Sequence, residues 1–235
     1  MDRRLKIIVV APHQDDETIG CGGLVGKLTD NNHDVLVQHV YSGNSGIIGV
    51  PANSPTIRHN EALAAAAVLK FSVLKNLGYS DRSFPEPGNI INKLVDIFRE
   101  HHPDLVLCPH KGESDKEHQL VNKCCEEAVW LSKSKGYKSF NQPDVNTSNT
   151  VTLFYEVWTP ILVPSLFIDI SEVIARKKKA IQAFSTQLAC ADWLSGSIGL
   201  NAYRGTTLQG AGFCEAYMIE KTNIKHLKQI LDLIL

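Results

Sequence analysis

Short apolar runs rich in β-branched residues alternate along this chain with stretches of helical periodicity, and that alternation limits the fold more than any other feature. Leu5–Val10 is unbroken, as a strand covered on both faces should be, and Asp34–Gly43 ("DVLVQHVYSG"), Asp104–His110 ("DLVLCPH") and Thr152–Pro160 ("TLFYEVWTP") repeat its character. Helical patterns fall between the runs. Thr56–Ser72 has an alanine-rich interior, Gly88–Pro103 carries apolar residues at 90, 91, 94, 95 and 98, and His118–Leu131 places 120, 121, 124, 125, 128 and 131 on one stripe. Strand and helix in turn predict an α/β fold, a mostly parallel sheet with helices on both faces. Two stretches read as surface loops: polar Gly136–Thr150 and glycine-rich Trp193–Gly212.

With 235 residues, 43% of them hydrophobic, the chain can bury a large core, and residues 1–235 are expected to form a single domain. Lys plus Arg (24) nearly cancels Asp plus Glu (25), and no basic run is long enough to follow a phosphate backbone. Electrostatics therefore argue neither for nucleic acid nor for an anionic membrane as partner, and a small, roughly neutral molecule fits better. The apolar part of "MDRRLKIIVV" is too short for a signal core, and no stretch approaches the roughly 20 apolar residues of a membrane span. A cytoplasmic, soluble protein is the expectation, and a homo-oligomer is compatible with it. Six cysteines without a C-x-x-C pair read as reduced, mostly buried thiols.

In an open parallel sheet the ligand site lies beyond the carboxyl ends of the strands. Two polar clusters fall at that edge. The first, "APHQDDETIGCGG" from Ala11, places His13, Asp15, Asp16 and Glu17 in the turn from the first strand into a helix. Acids favour a helix N-terminus, each by about 0.3–1 kcal/mol, which accounts for one or two of them but not for the histidine. The second cluster, "PHKGESDKEHQLV" from Pro109, follows the third strand run. There Ser114 and Glu117 have the spacing of a capping box, Asp115 would be a first-turn acid, and His118 stands at the head of the stripe without being one of its apolar positions. Two histidines and a carboxylate, with one position left for water, are the ingredients of a hydrolytic metal site, and finding both clusters at one edge favours that reading over capping alone. A nucleotide-binding loop fits less well: "GCGG" is followed by Val25 where G-x-G-x-x-G requires glycine, and the acids would repel phosphate.

The residues also resemble a family. "APHQDDE" resembles the A-P-H-P-D-D-E signature of the PIG-L/LmbE-like zinc N-deacetylases, with Gln14 in place of the second proline; "RHNEALAAAAVL" followed by "LGYSD", "YEVWTP" with "FIDIS", and "RGTTLQGAGFCEAY" resemble later segments in the same order. The resemblance implies a Rossmann-like fold and a Zn2+ cofactor held by His13, Asp16 and His118. It implies Asp15 as the general base acting on metal-bound water, Glu17 as an outer partner of the site, where a solvated helix acid is the alternative, and Arg58 near the substrate, although Glu61 beside Arg58 allows a structural ion pair instead. Arg204 and Glu215 match family positions with the same ambiguity. The implied reaction is removal of an acetyl group from an N-acetylated amino sugar or glycoconjugate. One departure stands out: Asp115 occupies the place of the first histidine in the family's H-P-D-H segment, whose role is to stabilise the transition state or protonate the leaving amine. Asp115 with a raised pKa, or His110 in its stead, would have to do that work; the alternative is a catalytically impaired metal-binding relative acting as a ligand-binding subunit.

Overall fold

The computed structural model describes residues 3–146, 148–208, 210, 212–219 and 224–234. Gln209 and Ala211, part of the last family-like segment, lie outside them. Among the described residues there are seven strands, β1 (Lys6–Ala11), β2 (Asp34–His39), β3 (Ser72–Val73), β4 (Leu105–Pro109), β5 (Val151–Tyr155), β6 (Leu166–Asp169) and β7 (Cys214–Ile219). The helices are α1 (Asp16–Asp30), α2 (Ser54–Leu69), α3 (Pro87–His101), α4 (Lys116–Ser132), α5 (Ile174–Ile181), α6 (Ser185–Leu188), α7 (Trp193–Thr207) and α8 (Ile224–Ile234). The strands make one sheet in the order β3-β2-β1-β4-β5-β7-β6, parallel except for β7, which runs antiparallel to both its neighbours. No helix among the described residues is long and apolar enough to cross a membrane.

Alternation along β1 explains its unbroken apolar character. Ile7, Val9 and Ala11 face a core layer shared with Leu24 of α1, Ala65 of α2 and Ala180 of α5. Ile8 and Val10 face the opposite layer, built with Leu94 and Phe98 of α3 and Val121 of α4. Both faces are covered, as a parallel sheet requires. The glycines of α1 serve packing: a Cβ on Gly20 would stand 2.4 Å from the Tyr155 ring, and one on Gly23 would stand 2.5 Å from Ile170. Five of the six cysteines are buried, Cys190 is exposed, and all six are free thiols.

The strand order reverses between β1 and β4, so the turns that leave these two adjacent strands open a crevice at the carboxyl edge of the sheet. The first polar cluster follows β1 and the second follows β4. Sequence position thus becomes spatial convergence.

Within the expected loop Trp193–Gly212, the structure departs from the expectation over Trp193–Thr207, which is helix α7, capped by Asp192, whose carboxylate accepts from Ser195 N at 3.0 Å. Its buried stripe is polar, which is why no hydrophobic period announces it. Ser197 donates to Ile19 O, Asn201 to Cys214 O, and Arg204 to Glu156 and Ile161 O. Arg204 is thereby a structural ion pair.

Candidate active site

Asp15 is the residue before α1 and has φ 133°, ψ −29°, a left-handed conformation costly for any residue but glycine. Its neighbours hold it there. Glu17, fully buried, accepts the Asp15 backbone N–H at 3.2 Å and lies 3.3 Å from His39 Nε2, so it is no solvated helix acid. Arg58, reaching across from α2, donates to Gln14 O and lies 3.1 Å from Asp15 Oδ1, and its Nη1 is 3.6 Å from Glu61. A residue in this position commonly caps its helix with its side chain; the Asp15 carboxylate makes no such bond, and it lines the cleft with Arg58. Burial raises its pKa against the opposing Arg58 charge, with Asp16 and Glu17 adding to the rise, and the balance holds it up at about 7.

One nitrogen from each of His13 and His118 and one oxygen of Asp16 lie within 4.8 Å of one another. His13 Nδ1 and His118 Nε2 are each 3.3 Å from Asp16 Oδ2. Two ligands held at ~2.1 Å in tetrahedral array stand about 3.4 Å apart, so this spacing suits one cation. Asp16 Oδ1 is buried with no hydrogen-bond partner, as expected of a carboxylate shaped for an ion. The far nitrogen of each imidazole faces its own buried carboxylate: His13 Nε2 is 2.9 Å from Glu117 Oε2, and His118 Nδ1 is 3.5 Å from Glu113 Oε2. The 2.9 Å contact orients the His13 ring and leaves its Nδ1 as a lone-pair donor, whereas His118 Nδ1 makes no hydrogen bond among the described residues. The Trp158 indole N–H donates to His118 Nε2 at 3.0 Å, which makes Nε2 the nitrogen that carries the lone pair. Burial disfavours a charged His13, yet Asp16 and Glu117 outweigh it and hold its pKa up at about 10. A field that favours positive charge so strongly suits a divalent cation equally well.

A cleft of about 200 Å³ opens on these residues and is also lined by Arg58, Asp81, Arg82, Asp115 and Trp158. Arg58 both lines the cleft and forms ion pairs with Asp15 and Glu61. The second cluster differs from its expected form. The cap of α4 is Asp115, whose Oδ1 accepts Glu117 N at 2.7 Å, and not Ser114. Glu117 cannot reach back to complete a capping box because its carboxylate is turned toward His13 and Arg82. The surroundings of Asp115 do not favour the raised pKa considered for it. Burial pushes it up, but a hydrogen bond from Arg82 and the Glu117 amide outweigh burial and hold it below the ordinary aspartate value. His110 does not supply the missing histidine at this cleft. It caps the end of β4, with Nε2 2.7 Å from Thr159 O and Nδ1 accepting from Gly112, and it lines a separate cavity.

Glu113, Arg82, Asp81 and Trp158 are site residues that sequence reasoning missed. Glu113 precedes His118 by five positions, and it accepts the backbone N–H groups of Val157 and Trp158, so the segment after β5 is pinned beside the His13–Asp16–His118 group. Asp81 fixes the other wall, accepting from Gly43 N and Ser45 N at 2.9 and 2.8 Å.

A doubly wound sheet with a histidine–aspartate–histidine group and an unliganded aspartate at its switch point defines a Rossmann-like α/β protein with a candidate cation site. The chain belongs to the PIG-L family, described as GlcNAc-PI de-N-acetylase, whose profile matches residues 8–129. It is 26% identical over 194 residues to the diacetylchitobiose deacetylase of Thermococcus kodakarensis, covering 77% of this chain and 70% of that one. The crystal structure of N,N'-diacetylchitobiose deacetylase from Pyrococcus horikoshii superposes with a TM-score of 0.81 at 23% identity, covering 94% of this chain and 88% of that one. GalB, the 4-carboxy-2-hydroxymuconate hydratase of Pseudomonas putida KT2440, superposes with a TM-score of 0.80 at 20% identity, covering 94% and 98%. A hydratase and a deacetylase share this fold equally well, so the fold alone does not name the reaction.

Proposed function

We propose that this chain is a metal-dependent N-deacetylase that hydrolyses the acetamide of an N-acetylated amino sugar or its conjugate, with Asp15 as general base and His13, Asp16 and His118 holding a divalent cation. The nitrogen and carboxylate donors suit zinc. The observation that carries the reading is the convergence of three ligand atoms within 4.8 Å beside a buried carboxylate that is not one of them. Family membership and the names of its relatives support the substrate class. A cation held there would polarise the acyl oxygen and make a water molecule more acidic. Asp15 takes a proton from the attacking water as the O–C bond forms, and returns it to nitrogen as the C–N bond breaks. Acetate and a free amine result. Arg58 keeps the Asp15 carboxylate in place, and Glu17 holds its backbone.

The test is release of amine and acetate by zinc-loaded protein from a panel of N-acetylglucosamine, diacetylchitobiose, nucleotide sugars and glycoconjugates. Chelator-sensitive release from at least one is expected. A metal-loaded protein inactive on all of them, but made active by Asp115→His, supports the binding-subunit alternative instead. The ligand set has its own test. His118→Ala should lower metal content from about one ion per chain to less than a tenth of that by elemental analysis; an unchanged content refutes the assignment.

A further inference from the structure

Arg82 stands at the mouth of the cleft, and its place is built rather than incidental. It follows Asp81 with a left-handed φ of 61°, and its backbone N–H is donated to Glu117 Oε1. Its Nη2 lies 2.8 Å from Asp115 Oδ2, and its Nη1 lies 3.4 Å from Glu117 Oε2, the oxygen that also meets His13 Nε2. The guanidinium is therefore one carboxylate removed from the metal group. Its side chain is nevertheless 58% exposed, against 2% for Arg58, which is committed to Gln14 O and Asp15. Two of five donors suffice for the carboxylate anchors, and the remainder are available to a ligand in the cleft. No other Lys or Arg besides Arg58 lines it among the described residues.

We infer that Arg82 is a catalytic residue that binds the negative charge developing on the acyl oxygen, with Asp115 as the residue that positions it. This rests on the deacetylase reading above. As water adds to the acetamide carbon, the carbonyl π pair moves onto oxygen and the Arg82 N–H groups meet that charge; as the pair returns, the C–N bond breaks and nitrogen takes the proton carried by Asp15. Arg82 itself transfers no proton, because a guanidinium stays charged throughout. Asp115 then replaces the family histidine not as an acid but as the anchor of a cation brought from another loop, the stretch after β3.

The experiment compares wild type, Arg82→Ala, Arg82→Lys, Asp115→Ala and the Arg82→Ala/Asp115→Ala double variant, all zinc-loaded. Loss of one such donor costs about 10²–10³-fold in kcat. Arg82→Ala should show that loss with KM within about threefold of wild type and metal content unchanged, and millimolar guanidinium should restore part of it. Arg82→Lys should fall between, since an ammonium cannot span both carboxylates. The double variant should be no worse than Arg82→Ala alone. A second readout needs no substrate: calorimetric affinity for methylphosphonate, a tetrahedral oxyanion, should drop at least tenfold in Arg82→Ala. Unchanged kcat in Arg82→Ala, or lost kcat with unchanged methylphosphonate affinity, or lost metal, overturns the role. If wild type deacetylates nothing while methylphosphonate affinity still depends on Arg82, the deacetylase reading fails and the oxyanion site stands.

Discussion

Asp15→Asn is expected to keep its metal and its fold while losing ~10²–10⁴-fold in turnover, the usual contribution of a general base. Asp16→Asn should instead lose metal. The two carboxylates are sequence neighbours, yet they face different partners: Asp16 Oδ2 meets His13 and His118, whereas Asp15 Oδ1 meets Arg58. The turn at φ 133° is what separates them, since it points Asp15 away from the helix it precedes. An amide at position 15 can keep contact with Arg58 but accepts no proton, so fold and metal survive and the chemistry does not. Elemental analysis, circular dichroism and kcat on the same preparations make the comparison. Equal metal loss in both variants contradicts the division of labour, and so does full turnover by Asp15→Asn.

The parts of this site that were legible in the sequence are those that one strand-to-helix turn brings together. His13, Asp15 and Asp16 sit within four positions, and the strand pattern places the His118 turn at the same sheet edge, so the gathering of His13, Asp16 and His118 follows from topology. The outer partners are another matter. Arg82 meets Asp115 and Glu117 across 33 and 35 positions, and Trp158 meets His118 across 40. No local spacing encodes such pairs. Glu117 was visible but misread, because an acid two residues into a helix has a sufficient local explanation in capping. Helix α7 escaped for the opposite reason: its buried positions, Ser197, Asn201 and Arg204, are polar, and a search for an apolar stripe passes over them. Strands β1, β2, β4 and β5 were clear because both faces of each are covered. The edge strand β6 is short and partly exposed, and β7 beside it carries the charged Glu215 among its buried positions, so neither has such a signature.

Lys177→Met is expected to cost about 3–5 kcal/mol, the penalty for leaving a buried charge without its partner. Against a typical total of 5–15 kcal/mol, that is a large share of the fold's stability. Helix α1 is broken at Cys21, where φ −137° and ψ 18° depart from helical values. Glu215, on β7, accepts the N–H groups of Gly23 and Leu24 just past the break, at 2.7 and 2.8 Å. It caps a helix from within. The same carboxylate accepts Lys177 Nζ at 2.7 Å and the Tyr217 hydroxyl at 2.7 Å, with Lys177 0% and Glu215 1% exposed. Four donors surround it, but only Lys177 neutralises it. Methionine fills the lysine's length and leaves the anion in place with neutral donors alone. Glu215→Gln in the Lys177→Met background removes that anion while its amide oxygen still accepts from the kink, so the double variant should regain a good part of the loss. Urea unfolding of the three proteins decides it. A Lys177→Met protein within 1 kcal/mol of wild type, or a double variant no more stable than the single, shows that charge at this kink is not what holds the two halves of α1 together, and with them the turn that carries Asp15 and Asp16.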